Sequence, residues 1–279
     1  MTSEGARPDR SRPLSAWETL SGEVIDALKT PFVCGLFELD FAAAHALRSR
    51  LRDRGEEVSD TTVVLAAVGR VLATDPTLHT IHHRGRRIVP GSVDIGVSVG
   101  GQGPLAPVTV VRNVEGKGLL QLQREVRAGS REALRAEKRD IERARAWRLV
   151  PGPLRRLGLR LVLGSAGVRR RLVGTFQVSS LDAYAFEIAI TPVAAAPLLM
   201  VGCTQPRPVA VGGSVEIHPR AWAAIHADHR LLNGASASRF KALLQDALDH
   251  PERLLDQADA GGSDAIAASS SSAASTSAT

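Results

Sequence analysis

The sequence predicts an α/β protein in which strands and helices follow one another along the chain. Three pairs of segments lead to this reading. Ala221 to Ile225 is an apolar run suited to a buried strand, and Ala235 to Leu248 beyond it carries apolar residues at helical spacing. Pro31 to Asp40 alternates as a strand does, and Phe41 to Arg54 then follows with helical periodicity. Val93 to Val99 and Ala106 to Arg112 read as two strands joined by a glycine-rich turn, Gly100-Gly101-Gln102-Gly103-Pro104.

Length and composition set outer limits. With 279 residues the chain can bury one large core or two small ones, and 44% hydrophobic residues without a long apolar run describe a soluble globular protein. Met1 to Arg12 is polar and lacks the apolar centre of a signal peptide, so a cytoplasmic setting is expected. Cys34 and Cys203 lie in apolar strand-like runs and are expected to be buried packing residues, not a disulfide framework. The net charge of +6 favours anionic partners.

The remaining elements follow in order. Ser59-Asp60 should cap a helix that runs through Leu72, a Ser/Asp pair before an apolar run being a normal helix start. Short strands are expected around Leu78 to His82 and Arg86 to Val89, with His79, His82 and His83 as exposed hairpin residues. No carboxylate or cysteine stands at ligand spacing from them, and no metal site is predicted. The Gly100–Pro104 turn is not a phosphate loop, because no Lys-Ser/Thr follows and no helix opens from it. Gly118 to Trp147 should form a long charged helix with an ordinary solvated face. Phe186 to Thr191, Leu198 to Cys203 and Val209 to Val215 are expected as further strands, with His218 and His226 structural.

The chemistry points to Ala227-Asp228-His229-Arg230-Leu231-Leu232-Asn233-Gly234. It places His229 at a strand end, where an imidazole can take a proton from an attacking hydroxyl, thiol or amine. Asn233-Gly234 can pin the turn, and on local pattern alone the segment reads equally well as a loop histidine followed by a helix-capping asparagine. Asp228 to Gly234, with Ala235 and Arg239-Phe240, resembles the active-site motif of the catalytic domain of dihydrolipoamide acyltransferases, the cores of 2-oxoacid dehydrogenase complexes. Four further blocks resemble that family in order: Asp94 to Val99, Gly103 to Val108, Gly174 to Leu181, and Thr191-Pro192 through Pro197 to Gly202. The similarity covers most of Leu14 to Leu255.

The resemblance implies a chloramphenicol acetyltransferase-like two-layer sandwich, a mixed sheet with helices packed on it. It implies a homotrimer whose site lies between subunits and a coenzyme A or carrier-bound acyl thioester as substrate, with no bound metal. Within that pattern His229 is the general base and Ser179 donates a hydrogen bond to the oxyanion, with Ser180 as the fallback if the register slips by one. Asn233 stands where relatives of the fold carry Asp, and is read as a neutral brace.

Departures from the family are equally visible. Beyond Pro13-Leu14-Ser15 the usual basic helix is replaced by Trp17-Glu18-Thr19-Leu20-Ser21-Gly22-Glu23; the usual acid after the first hairpin strand is Gly100; and the usual glycine-rich turn after Leu181 is Asp182-Ala183-Tyr184. From Arg143 to Arg171 nine arginines occur without an acid. Within this insertion, assigned to residues 143–173, Arg155, Arg156 and Arg160 fall on one side of a helix and Leu154, Leu157 and Leu161 on another. Such a helix could lie on an anionic membrane surface, dock an acidic carrier protein, line a thioester route, or simply show its arginines to water. Nucleic acid is not expected, since stacking aromatics are absent apart from Trp147.

The expected layout is a disordered leader over residues 1–12, one catalytic domain over 13–256, and a disordered Ser/Ala-rich tail over 257–279. None of Lys29, Lys117, Lys138 and Lys241 sits at the hairpin tip of a lipoyl domain, so a lipoyl or carrier arm would come from another chain. Two functions follow: an acyltransferase, or a non-catalytic trimeric scaffold that holds a membrane or an acidic carrier through its arginine-rich segment.

Overall fold

The computed structural model describes residues 15–28, 32–83, 85–101, 105–191 and 194–255. The expected leader and tail, and Gly103, Pro104 and Pro192 of the quoted blocks, lie outside them. Helix α1 (Ala16–Ala27) opens on a reciprocal cap, in which the Ser15 hydroxyl accepts from the Glu18 amide at 3.2 Å and the Glu18 carboxylate accepts from the Ser15 amide at 2.7 Å. Strand β1 (Phe32–Asp40) leads into α2 (Ala42–Asp53). Helix α3 (Asp60–Thr74) starts at the Ser59 cap and is buried almost all round. A small hairpin, β2 (Ile81–His83) and β3 (Arg86–Ile88), precedes β4 (Ile95–Ser98) and β5 (Val108–Val111).

Helix α4 (Leu119–Trp147) takes in the first residues of the expected 143–173 insertion, and the rest of it forms two helices, α5 (Gly152–Gly164) and α6 (Ala166–Val173). The chain returns through β6 (Phe176–Ser180), β7 (Leu198–Val201), β8 (Gln205–Val211) and β9 (Ser214–Asp228) to α7 (Gly234–Asp249). Two expectations change here. Residues 186–191 form no strand. The predicted strand Val209 to Val215 is instead a hairpin, because Gly212 and Gly213 both take positive φ, 57° and 88°, and turn the chain between β8 and β9.

Seven strands form one mixed sheet in the order β1-β9-β7-β6-β4-β5, with β8 paired to β9. The β4, β6 and β7 strands run parallel; β5, β9 and β1 are antiparallel to their neighbours. One face of the sheet, carrying Leu39, Ile95, Phe176, Val178, Leu199 and Ile225, buries itself against α2, α3, α7 and the start of α4. This is the two-layer sandwich expected. The other face carries Ser98, Gln177, Ser179, Leu198 and Met200, and the chain covers part of it with α1, the end of α4, α5 and α6. Cys34, expected to be buried, is exposed, while Cys203 is buried.

Glycines make the close passages behind the similarity blocks. Gly174 has φ +78°, and a Cβ there would stand 2.4 Å from the Asp94 carbonyl oxygen. A Cβ at Gly96 would stand 2.3 Å from the Val173 carbonyl oxygen. The end of α6 can thus lie directly on β4. Among the described residues no helix is long and apolar enough to cross a membrane.

Candidate active site

His229 is the first residue past β9, and its side chain is exposed. Its Nδ1 lies 3.0 Å from the carbonyl oxygen of Leu232, a geometry that places the ring proton on Nδ1 and leaves the Nε2 lone pair outward. The turn that makes this contact is tied down at several points. The Asp228 carbonyl accepts from the amides of Leu231 and Leu232 at 2.9 and 3.0 Å, and Arg87 of β3 donates to the Leu231 carbonyl at 3.0 Å. Asn233, as α7 begins, accepts from the Ser236 amide at 3.1 Å through Oδ1, so the asparagine is the cap of that helix.

Asp228 sets the charge next to the base. Burial raises its pKa, but hydrogen bonds from the Arg230 side chain and backbone, together with the Arg230 charge, outweigh burial and hold the carboxyl below its ordinary value. The closest contact, Arg230 Nη2 to Asp228 Oδ2, is 2.6 Å. Arg169 of α6 stands in the same field, its pKa lowered by burial against the pull of Asp228. Neither Arg87 nor Arg230 is singled out by sequence pattern, because each acts through a contact that depends on how the turn folds.

Ser179 and Ser180 part company in β6. Ser180 accepts from the Asp182 amide at 3.4 Å and lines a small cleft with Phe41 and Asp60. Ser179 points to the other face of the sheet, into a cavity of about 770 Å³ with Ser98, Gln177 and Met200 beside it. Of the two serines, only Ser179 presents its hydroxyl to a space of ligand size.

The structure does not bring Ser179 and His229 together within one chain. Ser179 is level with Met200, which is level with Ala224, and His229 lies five residues beyond Ala224. At strand spacing that separates the two by about 15–20 Å.

Two departures from the expected pattern meet at the mouth of the hairpin. The Asp182–Tyr184 turn ends on Ala185 in the left-handed region, with φ 53°, and brings the Tyr184 phenol over Gly100. A Cβ at Gly100 would stand 2.9 Å from that phenolic oxygen, so Gly100 and Tyr184 accommodate each other.

The histidines and the insertion need correcting. His79 is not an exposed hairpin residue: it is 4% exposed, and its Nε2 lies 2.7 Å from the Thr175 hydroxyl, which in turn donates to the Asp94 carbonyl. Burial, reinforced by the charge of Arg170, pulls its pKa down to about 4. In the insertion, Arg155 is turned inward onto Glu23, while Leu154, Leu157 and Leu161 of α5 are exposed. The grouping of Arg155 with Arg156 and Arg160 on one free face therefore fails. Arg170 of α6 is likewise engaged, donating to buried Asp94 at 2.9 Å. His218 pairs with Asp40 at 2.6 Å, and His226 is buried in β9. Among the described residues no group of three or more His, Cys, Asp or Glu is placed to hold a metal ion.

Residues 173–256 match the family model described as 2-oxoacid dehydrogenases acyltransferase (catalytic domain). The chain is 24% identical over 258 residues to the dihydrolipoyllysine-residue succinyltransferase component of the 2-oxoglutarate dehydrogenase complex of Rickettsia bellii, covering 89% of this chain and 57% of that protein. A corresponding mitochondrial component of Arabidopsis thaliana is 36% identical over 95 residues, covering 33% of this chain and 20% of that one. The chain spans a little over half the length of the Rickettsia relative. Among solved structures, the cubic core of the pyruvate dehydrogenase multienzyme complex superposes with a TM-score of 0.69 at 22% identity, over 89% of this chain and 95% of that chain. The Azotobacter vinelandii dihydrolipoamide acetyltransferase, studied for the roles of a serine, a histidine and an asparagine in its catalytic mechanism, superposes with a TM-score of 0.68 at 22% identity, over 88% and 94%. These superpositions establish the fold.

Proposed function

We propose that the chain, whose residues 173–256 match the 2-oxoacid dehydrogenase acyltransferase catalytic-domain model, transfers an acyl group between coenzyme A, or a carrier-bound thioester, and a nucleophile. The observation that carries this reading is the contact of His229 Nδ1 with the Leu232 carbonyl at 3.0 Å, which leaves Nε2 free to act as base. His229 Nε2 takes the proton of an acceptor thiol, hydroxyl or amine as the acceptor attacks the thioester carbonyl. The carbon becomes tetrahedral, and the Ser179 hydroxyl donates to its oxyanion. Collapse expels the thiolate, which recovers the proton from His229, and no covalent enzyme intermediate is formed. Asn233 keeps the turn in place and stays outside the chemistry.

The separation of Ser179 from His229 in one chain is met by a homotrimer in which one subunit gives the base and its neighbour the serine. In the Azotobacter acetyltransferase the studied asparagine follows the studied histidine by four positions, the spacing of His229 and Asn233 here. A dihydrolipoyl or other carrier arm would reach the site from another chain.

The test is release of free thiol from acyl-CoA donors with dihydrolipoamide as acceptor. His229→Ala and Ser179→Ala proteins should each be strongly impaired, and subunits of the two variants assembled together should regain activity, because some seams then hold both native residues. Equal rates for wild type and His229→Ala across a broad donor and acceptor panel would overturn the proposal.

A further inference from the structure

We propose, building on the acyl-transfer reading, that the preferred donor is the thioester of an extended apolar acyl chain, and that the cavity beside Ser179 holds this chain. The cavity measures about 770 Å³, within the range of about 300–1,000 Å³ usual for small-molecule sites. Its floor is the sheet face of Ser179, Leu198 and Met200; its walls are Leu20 of α1 and Leu159 and Leu163 of α5. Ser179 therefore lies on the floor of a largely apolar cavity, where the reacting carbonyl of a thioester could meet its hydroxyl while the acyl tail lies against the leucine walls.

The charged groups argue for an apolar tail over an acidic one. Among the described lining residues only Asp140 and Arg143 carry charge; they pair with each other at 3.3 Å and are 51% and 78% exposed, which puts them at the rim. A donor with a distal carboxylate, such as succinyl, would find no free cation inside, and burying an unpaired carboxylate is costly. Methylene groups gain from leaving water, by roughly fourfold in affinity for each one buried.

The chamber is built by this chain's own departures from its family. The wall helix α5 belongs to the arginine-rich insertion, and Arg155 clamps it to Glu23 of α1 with both side chains largely buried. The insertion's most committed arginine thus closes a wall and leaves no charge in the interior.

The experiment compares acetyl-, succinyl-, butyryl- and octanoyl-CoA on the full chain with dihydrolipoamide as acceptor. It also measures binding of the unreactive ethyl- and octyl-CoA thioethers. We expect kcat/KM to rise roughly fourfold per methylene from acetyl to octanoyl, with succinyl slow, and the octyl thioether to bind far more tightly than the ethyl. Leu163→Trp, which narrows the chamber, should lower the octanoyl-to-acetyl ratio tenfold or more. If acetyl or succinyl is handled as well as octanoyl and the two thioethers bind alike, the long-chain inference falls while acyl transfer stands. If no thioester turns over but octyl still outbinds ethyl and Leu163→Trp weakens it, the chamber keeps its apolar ligand and the acyl-transfer reading falls. Absence of both effects overturns both.

Discussion

Arg155 grips Glu23 with two prongs: its Nε lies 3.1 Å from both carboxylate oxygens and its Nη2 lies 2.7 Å from Oε1, with the side chains 13% and 6% exposed. The contact explains two oddities of the sequence at once. The first helix supplies a buried acid, Glu23, and the arginine-rich segment supplies the residue that answers it. A fork-to-fork pair of this kind fixes direction as well as distance, so α1 and α5 are held in one relative orientation.

Removing one member of this pair should be far worse than removing both. Glu23→Ala or Arg155→Ala leaves a lone buried charge and is expected to cost about 3–5 kcal/mol. The double variant Glu23→Leu/Arg155→Met should recover most of that loss. Urea unfolding of the three proteins measures it, and a double variant no better than either single one would contradict the assignment.

Asn233→Ala removes the Oδ1 acceptor that serves the Ser236 amide, and is expected to cost about 1 kcal/mol of stability. Asn233→Asp keeps that acceptor and should be close to wild type. Because the carbonyl holding His229 belongs to Leu232, the alanine variant should also lose turnover through a loosened turn. Thermal unfolding and thiol-release assays on the same preparations test both halves.

The two serines of β6 should behave differently. Ser179→Ala is expected to lower kcat on the order of 10²–10³ with little change in KM, the usual effect of losing one oxyanion donor. Ser180→Ala, which removes the acceptor of the Asp182 amide, should stay within a few-fold of wild type. Steady-state kinetics with one acyl-CoA donor decide between them, and the reverse order would shift the site by one residue.

His79 should make the protein lose stability in mild acid. Its folded pKa, about 4, lies below the ordinary 6.5. Between these values the unfolded chain binds a proton that the folded protein refuses, so stability falls as pH drops from 6.5 and the loss is complete near 4. The full effect is of order 3 kcal/mol. His79→Gln should flatten the stability curve in this window without abolishing its slope, since buried His226 is also shifted down by burial. Denaturant titrations at several pH values from 4 to 7 provide the measurement, and an unchanged slope would count against a buried neutral His79.

The elements that the sequence announces most clearly are those whose signals are local. Ser59 and Asn233 cap helices where local pattern allows it, and the strand-to-helix passage at Asp40 appears as expected. His229 at a strand end and Ser179 in β6 were likewise legible, the second only through resemblance. What escaped depends on partners distant in the chain. Nothing near His79 announces Thr175, 96 residues away, and nothing near Arg155 announces Glu23, 132 residues away. The hairpin at Gly212-Gly213 looks like continuous strand in the sequence, because valines flank it on both sides and periodicity does not register a reversal of direction. Cys34 sits in an apolar run, yet the chain's own helices cover only part of its side of the sheet and leave it exposed, and periodicity cannot tell how far a sheet face finds a cover.

The distance along the sheet between Ser179 and His229 also changes how the protein must be counted. If catalysis needs both, the unit of activity is a junction between neighbours, and its abundance rises faster than protein concentration wherever assembly is incomplete. Specific activity would then decline on dilution, and a population mixing sound and damaged copies would retain a fraction of working centres set by the odds of adjacency.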